Sequence, residues 1–228
     1  LALNQELEHQ VELRTQELVE KNKKIMDSID YAQTIQEAML PSPLEFGRLF
    51  RGHFVLWRPR DVVGGDFYWG RAFAHGRLII VGDCTGHGVP GALMTMAVIS
   101  MIDHIVSNIT QDDPARLITE LNRLLLQAFQ GDEEHKALNQ GLDAGAVYIS
   151  ASGEFVYAGA KMTLHHAGAD GLQAYKGVSR SIGYTKYPER FNPVNQVIVY
   201  APGDAFYLST DGYYDQNDAE NNRSFGTK

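Results

Sequence analysis

The chain has 228 residues and a net charge of -8, from 20 Lys and Arg against 28 Asp and Glu. Nucleic-acid binding depends on neutralising phosphates with Lys and Arg, so this balance argues against a nucleic-acid partner. The single cysteine, Cys84, excludes an internal disulfide. No apolar run approaches the ~20 residues of a membrane helix, so we expect no direct membrane contact. Because the chain starts at Leu1 and stops at Lys228, we expect a fragment of a longer protein.

Residues 1–40 predict one long helix, because they contain neither Gly nor Pro and are rich in good helix formers. One seam position repeats every seven residues and is apolar: Val11, Leu18, Ile25, Ala32 and Met39. The other seam position is mixed: Leu7, Arg14, Lys21, Ser28 and Ile35. This half-apolar seam predicts a coiled coil and a homodimer through the helix. The alternative is a helix lying on its own domain, for which the apolar turns Ile29–Leu40 are suited. Pro41 and Pro43 are predicted to end it.

From Phe46 onward, short β-like runs alternate with glycines and enclose a helical pair. Helices are predicted from Pro90 to about Ser107 and over Pro114–Phe129. Strands are predicted at His53–Trp57, Asp66–Phe73, Arg77–Val81, Ala144–Ser150, Glu154–Ala158, Thr163–His166, Leu172–Tyr175, Val197–Tyr200 and Ala205–Ser209. Strand hairpins on both sides of a helical pair predict an α+β fold with antiparallel sheets.

Three aspartates stand where a predicted strand gives way to a turn that contains glycine. They are Asp66 in "GGDFY", Asp83 in "VGDCTGHG" and Asp211 in "LSTDGYYD". Carboxylates that converge on one point repel each other, and a divalent cation relieves that repulsion. Mg²⁺ and Mn²⁺ prefer such oxygen ligands, and two ions together can activate water to attack a phosphoryl group. The alternative is that each acid is an ordinary turn or helix-cap residue.

Other kinds of catalytic site fit the sequence poorly. A cysteine phosphatase built on Cys84 would need an arginine where Pro90 stands, and "GHGVPGA" lacks the Lys-Ser/Thr of a phosphate-binding loop. His165 and His166 are adjacent, so a strand points them to opposite faces. Asp143 in "GLDAG" is a weaker candidate for an outer metal or substrate contact, and a plain turn acid is the favoured interpretation there.

The motifs, taken in order, resemble a known family. "VGGDFYWG", "LIIVGDCTGHGVPGALMTM", "FVYAGAKMTLHH", "GDAFYLSTDGYYDQ" and a closing "FG" are similar to the SpoIIE/RsbU-type branch of the PPM metal-dependent serine/threonine phosphatases. The resemblance covers residues 41–228. Residues 1–40 are similar to the coiled-coil or linker helix that precedes such domains, as in the SiaA-like, membrane-tethered members.

The resemblance implies an αββα sandwich of two antiparallel sheets flanked by helices, preceded by the long N-terminal helix. It also implies a binuclear Mn²⁺ or Mg²⁺ centre. By position, Asp83 would bridge both ions, Asp66 would bind metal from the neighbouring strand, Cys84 would offer its backbone carbonyl, and Asp211 would hold the second ion. Asp66 and Asp83 are therefore the catalytic candidates. The family's last metal-binding aspartate lies downstream of "FG", so we expect a phosphatase domain that is C-terminally incomplete within residues 41–228.

The function implied is a protein phosphatase of bacterial signalling, acting on phosphoserine or phosphothreonine through a metal-activated water. The implied substrate is a phosphorylated STAS-type anti-sigma-factor antagonist, and the implied location is the cytoplasmic domain of a membrane-anchored receptor. One alternative is a diguanylate cyclase, but Phe67 follows the acid of "GGD" where a Glu is usual. A second alternative is a non-catalytic, phosphatase-like module that dimerises and binds a partner.

Overall fold

The computed structural model describes residues 2–50, 52–129, 141–184, 191–217 and 226. The helices are α1 (Ala2–Met39), α2 (Pro43–Leu49), α3 (Gly88–Asn108), α4 (Pro114–Phe129) and α5 (Asp211–Tyr214). The strands are β1 (Asp66–Phe73), β2 (Gly76–Cys84), β3 (Leu142–Ser150), β4 (Phe155–Ala160), β5 (Thr163–Gly168), β6 (Gly171–Lys176), β7 (Gln196–Ile198) and β8 (Ala205–Leu208).

The strands form two antiparallel sheets, with orders β1-β2-β3-β4-β7 and β6-β5-β8. Side chains alternate between the two faces of a strand. In β3, Ala146 and Tyr148 belong to the core shared with α3 and α4. Val147 and Ile149 point the other way and pack with Leu164 of β5. The five-stranded sheet therefore lies between a helical layer and the three-stranded sheet, and the predicted α+β fold with two antiparallel sheets is confirmed.

Helix α3 is the central core helix. Among the described residues it is also the one helix that is long and apolar enough, by length and composition, to cross a membrane. The sequence-based expectation that no segment approaches that length was therefore too strict. Its apolar side chains are used inside the protein, because Val98, Ile102 and Ile105 are fully buried against the sheet and α4.

The segment between α1 and β1 differs from the prediction. His53–Trp57 forms no strand and pairs with no described strand, so the predicted strand is wrong. Pro43 begins helix α2 instead of only ending α1, because Ser42 and Glu45 form a capping box and Pro occupies the first turn. Strand β7 is also shorter than predicted and starts one residue earlier.

Helix α1 touches the rest of the protein through its last turns only. Residues 4–28 are exposed throughout, and the seam residues Val11, Leu18 and Ile25 keep more than half of their surface in solvent. Near its end, Gln36 is fully buried and Leu40 lies in the main core. The prediction that Ile29–Leu40 lies on the domain is confirmed, whereas pairing of the exposed part stays a prediction.

Candidate active site

Three acids lie side by side across the five-stranded sheet. In the strand register Asp66 of β1 is opposite Asp83 of β2, and Asp83 is opposite Asp143 of β3. Directly opposed residues of antiparallel strands project from the same face. The sequence therefore identified two acids of this row, while Asp143, which it favoured as a plain turn residue, is the third. Only the register reveals this, because no local motif marks Asp143.

The row of acids faces the space between the two sheets. Asp143 alternates with Ala144 and so projects on the same face as Val147 and Ile149, which pack against the three-stranded sheet. The acids therefore stand at the end of the inter-sheet core, where apolar packing stops. A cleft of about 370 Å³ opens there. Its lining includes Arg60, Gly65, Asp66, Asp83, His87, Asp143, Lys161, Tyr184 and Asp211.

The fourth acid, Asp211, reaches the cleft from the three-stranded sheet. It is the first residue of the short helix α5, which follows β8. The preceding Thr210 hydrogen-bonds the Asp66 carboxylate through its side chain. The next residue, Gly212, is close enough that a Cβ there would lie 3.6 Å from Asp66 Oδ2. The predicted convergence of Asp66, Asp83 and Asp211 on one cleft is thus what the geometry shows.

Gly65 explains why a glycine precedes the first acid. A Cβ on Gly65 would lie 2.6 Å from the Cys84 carbonyl oxygen and 2.7 Å from the Gly86 carbonyl oxygen. Cys84 N–H also donates to the Gly65 carbonyl at 3.1 Å. Any side chain at Gly65 would force the ends of β1 and β2 apart, since the obstructing atoms are backbone. The close approach keeps the Cys84 carbonyl beside the acids.

The Cys84 thiol points away from the cleft. Its side chain is buried in the main core on the helical side of the sheet. Burial raises the pKa of this thiol to about 12, with Thr95 opposing the shift by a hydrogen bond. A thiol that stays protonated at neutral pH is a poor nucleophile. The residue can therefore contribute only its backbone carbonyl, as the family resemblance implies.

The acids strongly perturb one another. Burial, followed by the charges of Asp66 and Asp211, raises the pKa of Asp83 to about 8. Burial also raises the pKa of Asp66, and the charge of Asp211 adds to that shift, while hydrogen bonds from Asp83 and Thr210 oppose it. Asp66 and Asp83 lie opposite each other in the strand register, so a proton retained by Asp83 can also be shared with Asp66. The cluster therefore holds a proton at neutral pH when no other cation is present.

The donor set fits hard divalent cations. In the described part of the chain, no group of three or more His, Cys, Asp or Glu side chains is already arranged as a metal site. The raised pKa of Asp83 nevertheless shows that the carboxylates favour a neutralising positive charge. Carboxylate and carbonyl oxygens are the ligands that Mg²⁺ and Mn²⁺ prefer. Asp66, Asp83, Asp211 and the Cys84 carbonyl would hold such ions in place of the shared proton.

The rim of the cleft includes His87 and Lys161. His87 lies between Gly86 and Gly88, whose φ angles of +101° and +62° allow the tight turn into α3. His87 Nδ1 lies 3.0 Å from Asp61 Oδ2. On the opposite rim, Lys161 extends from the turn between β4 and β5. The cleft thus has acids on its floor, with the cationic Arg60 and Lys161 also in its lining.

The shared proton predicts a pH-dependent stability without metal. The pKa of Asp83 rises from 3.8 to about 8 on folding, so the unfolded chain releases this proton at lower pH than the folded protein. The free energy of unfolding should therefore fall between about pH 4 and pH 8. Asp83→Asn removes that loss and should raise the metal-free melting temperature at pH 8 by roughly 3–6 °C. Thermal melts from pH 5 to pH 8 with a chelator test this, and a wild-type melting temperature that rises with pH would contradict it.

Comparison with known proteins agrees with this geometry. The family model described as Stage II sporulation protein E (SpoIIE) matches residues 74–227. The SiaA PP2C domain of Pseudomonas aeruginosa is 42% identical with a TM-score of 0.80, and the match covers 90% of this chain and 79% of that one. Comparison with curated protein sequences gives no match.

Two more distant structures share the fold. The RsbU and RsbW domains of Rv1364c from Mycobacterium tuberculosis are 20% identical, with a TM-score of 0.54 and coverage of 69% of this chain and 42% of that one. The PP2C phosphatase domain of SpoIIE from Bacillus subtilis, with part of its regulatory domain, is 17% identical, with a TM-score of 0.53 and coverage of 67% and 43%.

Fold, acid cluster and matches together define a PP2C-type phosphatase domain of bacterial signalling. The chain belongs to the SpoIIE family. Its similarity to the SiaA domain extends over nine-tenths of the chain.

Proposed function

We propose that this protein is a metal-dependent phosphatase that hydrolyses phosphoserine or phosphothreonine in a partner protein. The observation that carries the proposal is the acid cluster of Asp66, Asp83 and Asp211 in one cleft, where the pKa of Asp83 is raised to about 8. Membership of the SpoIIE family supports the reaction type. The alternative, that these acids are ordinary turn residues, does not explain the cluster, because the mutual repulsion of three carboxylates lowers stability.

In the proposed reaction, carboxylates and one backbone carbonyl of the cleft would hold the metal ions. Asp83 would contact both ions of a binuclear Mn²⁺ or Mg²⁺ centre, Asp66 and the Cys84 carbonyl would complete one ion site, and Asp211 would serve the other. When bound, the two ions supply an activated water and take up the negative charge that develops on the phosphoryl group. Gly65 has no side chain, which lets the end of β1 lie close against the Cys84 carbonyl. No side-chain nucleophile is needed, which agrees with the buried thiol of Cys84.

The proposed substrate is a phosphorylated, STAS-type anti-sigma-factor antagonist, and the proposed setting is the cytoplasmic domain of a membrane-anchored receptor. Similarity to the SiaA PP2C domain and to the RsbU and RsbW domains supports a regulatory role of this kind.

We also propose a homodimer through α1, because Val11, Leu18 and Ile25 form an exposed apolar row along it. Sedimentation of the chain beside a Leu18→Glu variant tests the dimer.

The phosphatase proposal is tested by metal-dependent phosphate release. The chain is incubated with a panel of phosphoserine and phosphothreonine peptides and with para-nitrophenyl phosphate, in Mn²⁺, in Mg²⁺ or in chelator. We expect release in Mn²⁺ or Mg²⁺ that the chelator abolishes and that added metal restores. Binding of Mn²⁺ without release from any substrate would instead favour the non-catalytic, partner-binding module.

A further inference from the structure

Lys161 has a backbone conformation that lysine rarely adopts. Its φ is +53°, and among the described residues it is the only one other than glycine with a positive φ. The left-handed region is unfavourable for side chains with a Cβ, and such residues persist where the surroundings impose them. Strained residues of this kind cluster at functional sites. Lys161 is in the two-residue turn between β4 and β5, at the edge of the cleft.

The fold holds this conformation from both sides of the turn. Lys161 N–H donates to the Val178 carbonyl at 2.7 Å, and Gly177 N–H donates to the Met162 carbonyl at 3.0 Å. Ala160, the preceding residue, forms a parallel bridge with Val178. The following residue, Met162, is buried. The direction in which the Lys161 side chain leaves the backbone is therefore fixed by the turn and its neighbours.

The ammonium of Lys161 has N–H donors that no acceptor among the described residues holds at hydrogen-bond distance. Its Nζ lies 3.7 Å from Asp143 Oδ2, and 54% of the side chain is exposed. A charge-assisted N–H···O bond is about 2.7–2.9 Å long, so this ion pair is loose. Among the described residues the ammonium donates no shorter hydrogen bond. It lies next to the row of acids and lines the same cleft as Asp66, Asp83 and Asp211.

We propose that Lys161 is a substrate-binding residue whose ammonium holds oxygens of the phosphoryl group that enters the cleft. The proposal rests on the proposed phosphatase function. Asp66, Asp83, Asp143 and Asp211 all line this cleft and would repel a phosphate dianion. Divalent ions would offset much of that charge, and Lys161, together with Arg60 of the same lining, supplies positive charge from the chain itself. A compact ammonium on a flexible stem can follow the phosphoryl group as it approaches.

Three substitutions separate charge from backbone strain. Lys161→Met keeps the strain and loses the charge, Lys161→Arg keeps both, and Lys161→Gly loses the charge but relieves the strain. Lys176→Met, at an exposed position on β6, is the matched control. The measurements are KM and kcat for a phosphoserine peptide, calorimetric binding of inorganic phosphate in Mg²⁺, and the melting temperature.

We expect Lys161→Met to raise KM and the phosphate dissociation constant by roughly 5- to 20-fold with little change in kcat. Lys161→Arg should recover phosphate binding to within about threefold of wild type, because it retains a cation. Lys161→Gly should lose affinity as Lys161→Met does, yet melt at the same or a higher temperature. Lys176→Met should leave every value unchanged.

The outcomes distinguish this proposal from the phosphatase assignment. A wild-type chain that releases no phosphate but binds it, with weaker binding in Lys161→Met, would support the Lys161 site and refute the phosphatase. An active wild type with unchanged KM and phosphate affinity in Lys161→Met would overturn the Lys161 site alone. Restored affinity in Lys161→Gly would reduce Lys161 to a structural role. Failure of the wild type to bind phosphate in either Mg²⁺ or Mn²⁺ would also overturn the site.

Discussion

Replacing Asp83 with Asn is expected to lower metal-dependent phosphate release by at least about 10²- to 10³-fold, the loss usual when one electrostatic partner of a reaction is removed. Asp83 has acids on both sides in the strand register, Asp66 and Asp143, and interacts with the charge of Asp211. A neutral amide in its place removes the central negative charge that would hold the cations together. Initial rates with a phosphoserine peptide, measured over a range of Mn²⁺ concentrations, test the expectation.

The loss should not come from unfolding. Because Asn at position 83 ends the burial of an acid with a raised pKa, the variant should melt at or above the wild-type temperature in chelator. Lower activity combined with unchanged or higher stability is the signature of a functional acid. Asp170→Asn, at an exposed position in the turn between β5 and β6, is the matched control and should behave as wild type.

Asp211→Asn tests the same centre from the opposite sheet. We expect a comparable loss of turnover, with a higher Mn²⁺ concentration needed for half-maximal activity, because Asp211 would serve one of the ions. Asp143→Asn should have a smaller effect, since Asp143 lies at the end of the row and is loosely paired with Lys161. Full activity in both Asp83→Asn and Asp211→Asn would refute the assignment of the acids as metal ligands.

The sequence predicts some residues of this site and misses others, because only some of them are marked by their immediate neighbours in sequence. Asp66, Asp83 and Asp211 are recognisable locally, because each acid stands beside a glycine at the end of a strand. Asp143 and Lys161 carry no such local mark. Their importance arises from the β2–β3 register and from the backbone geometry of one turn. Contacts between strands 60 residues apart in sequence are set by the whole sheet and leave no signal in a short window.

The same limit applies to the fold. Short β-like runs between glycines, and prolines at the first turn of each helix, are enough to locate β1, β2 and the helical pair within a few residues. His53–Trp57 has the composition of a strand but finds no pairing partner among the described strands. Trp57 instead donates its indole N–H to the Asp66 carbonyl at 2.9 Å. Tertiary contacts thus override local β propensity at this point.

Replacing Gln36 with Met is expected to destabilise the protein and to weaken its metal site together. Gln36 is fully buried near the end of α1, and its amide pairs with the backbone of Gly64. Its Nε2 donates to the Gly64 carbonyl at 2.6 Å, and the Gly64 N–H donates to its Oε1 at 3.2 Å. Gly64 is two residues from Asp66. The end of α1 therefore fixes the position of the backbone immediately before Asp66.

Methionine fills nearly the same volume as glutamine but satisfies neither Gly64 group. Thr95 Oγ1, 3.5 Å from the Gly64 carbonyl, is the remaining side-chain donor there among the described residues. Leaving two buried backbone groups without good partners should cost about 2–4 kcal/mol. This corresponds to a fall in melting temperature of roughly 5–12 °C. Gln33→Met is the control, because Gln33 is half-buried one turn earlier in the same helix but bonds Glu37 rather than Gly64, and it should have little effect.

The functional consequence follows from the position of Gly64. Loss of the two Gln36–Gly64 hydrogen bonds should let Gly65 and Asp66 shift. Removing a contact that positions a metal ligand typically lowers metal affinity by about 10-fold or more. We therefore expect Gln36→Met to need roughly 10-fold more Mn²⁺ for half-maximal phosphate release and to show a smaller thermal shift on adding Mn²⁺. Both readouts are needed, because the thermal shift does not depend on turnover.

This coupling would give α1 a means of regulating the site. The exposed residues 4–28 make no contact that holds the acids, so a change in how they pair could reach the cleft only through the last turns, where Gln36 lies. A forced parallel dimer of α1 should then alter the Mn²⁺ requirement of the wild type but not that of Gln36→Met. If Gln36→Met loses stability while its Mn²⁺ requirement is unchanged, the helix end supports the fold without acting on the metal site.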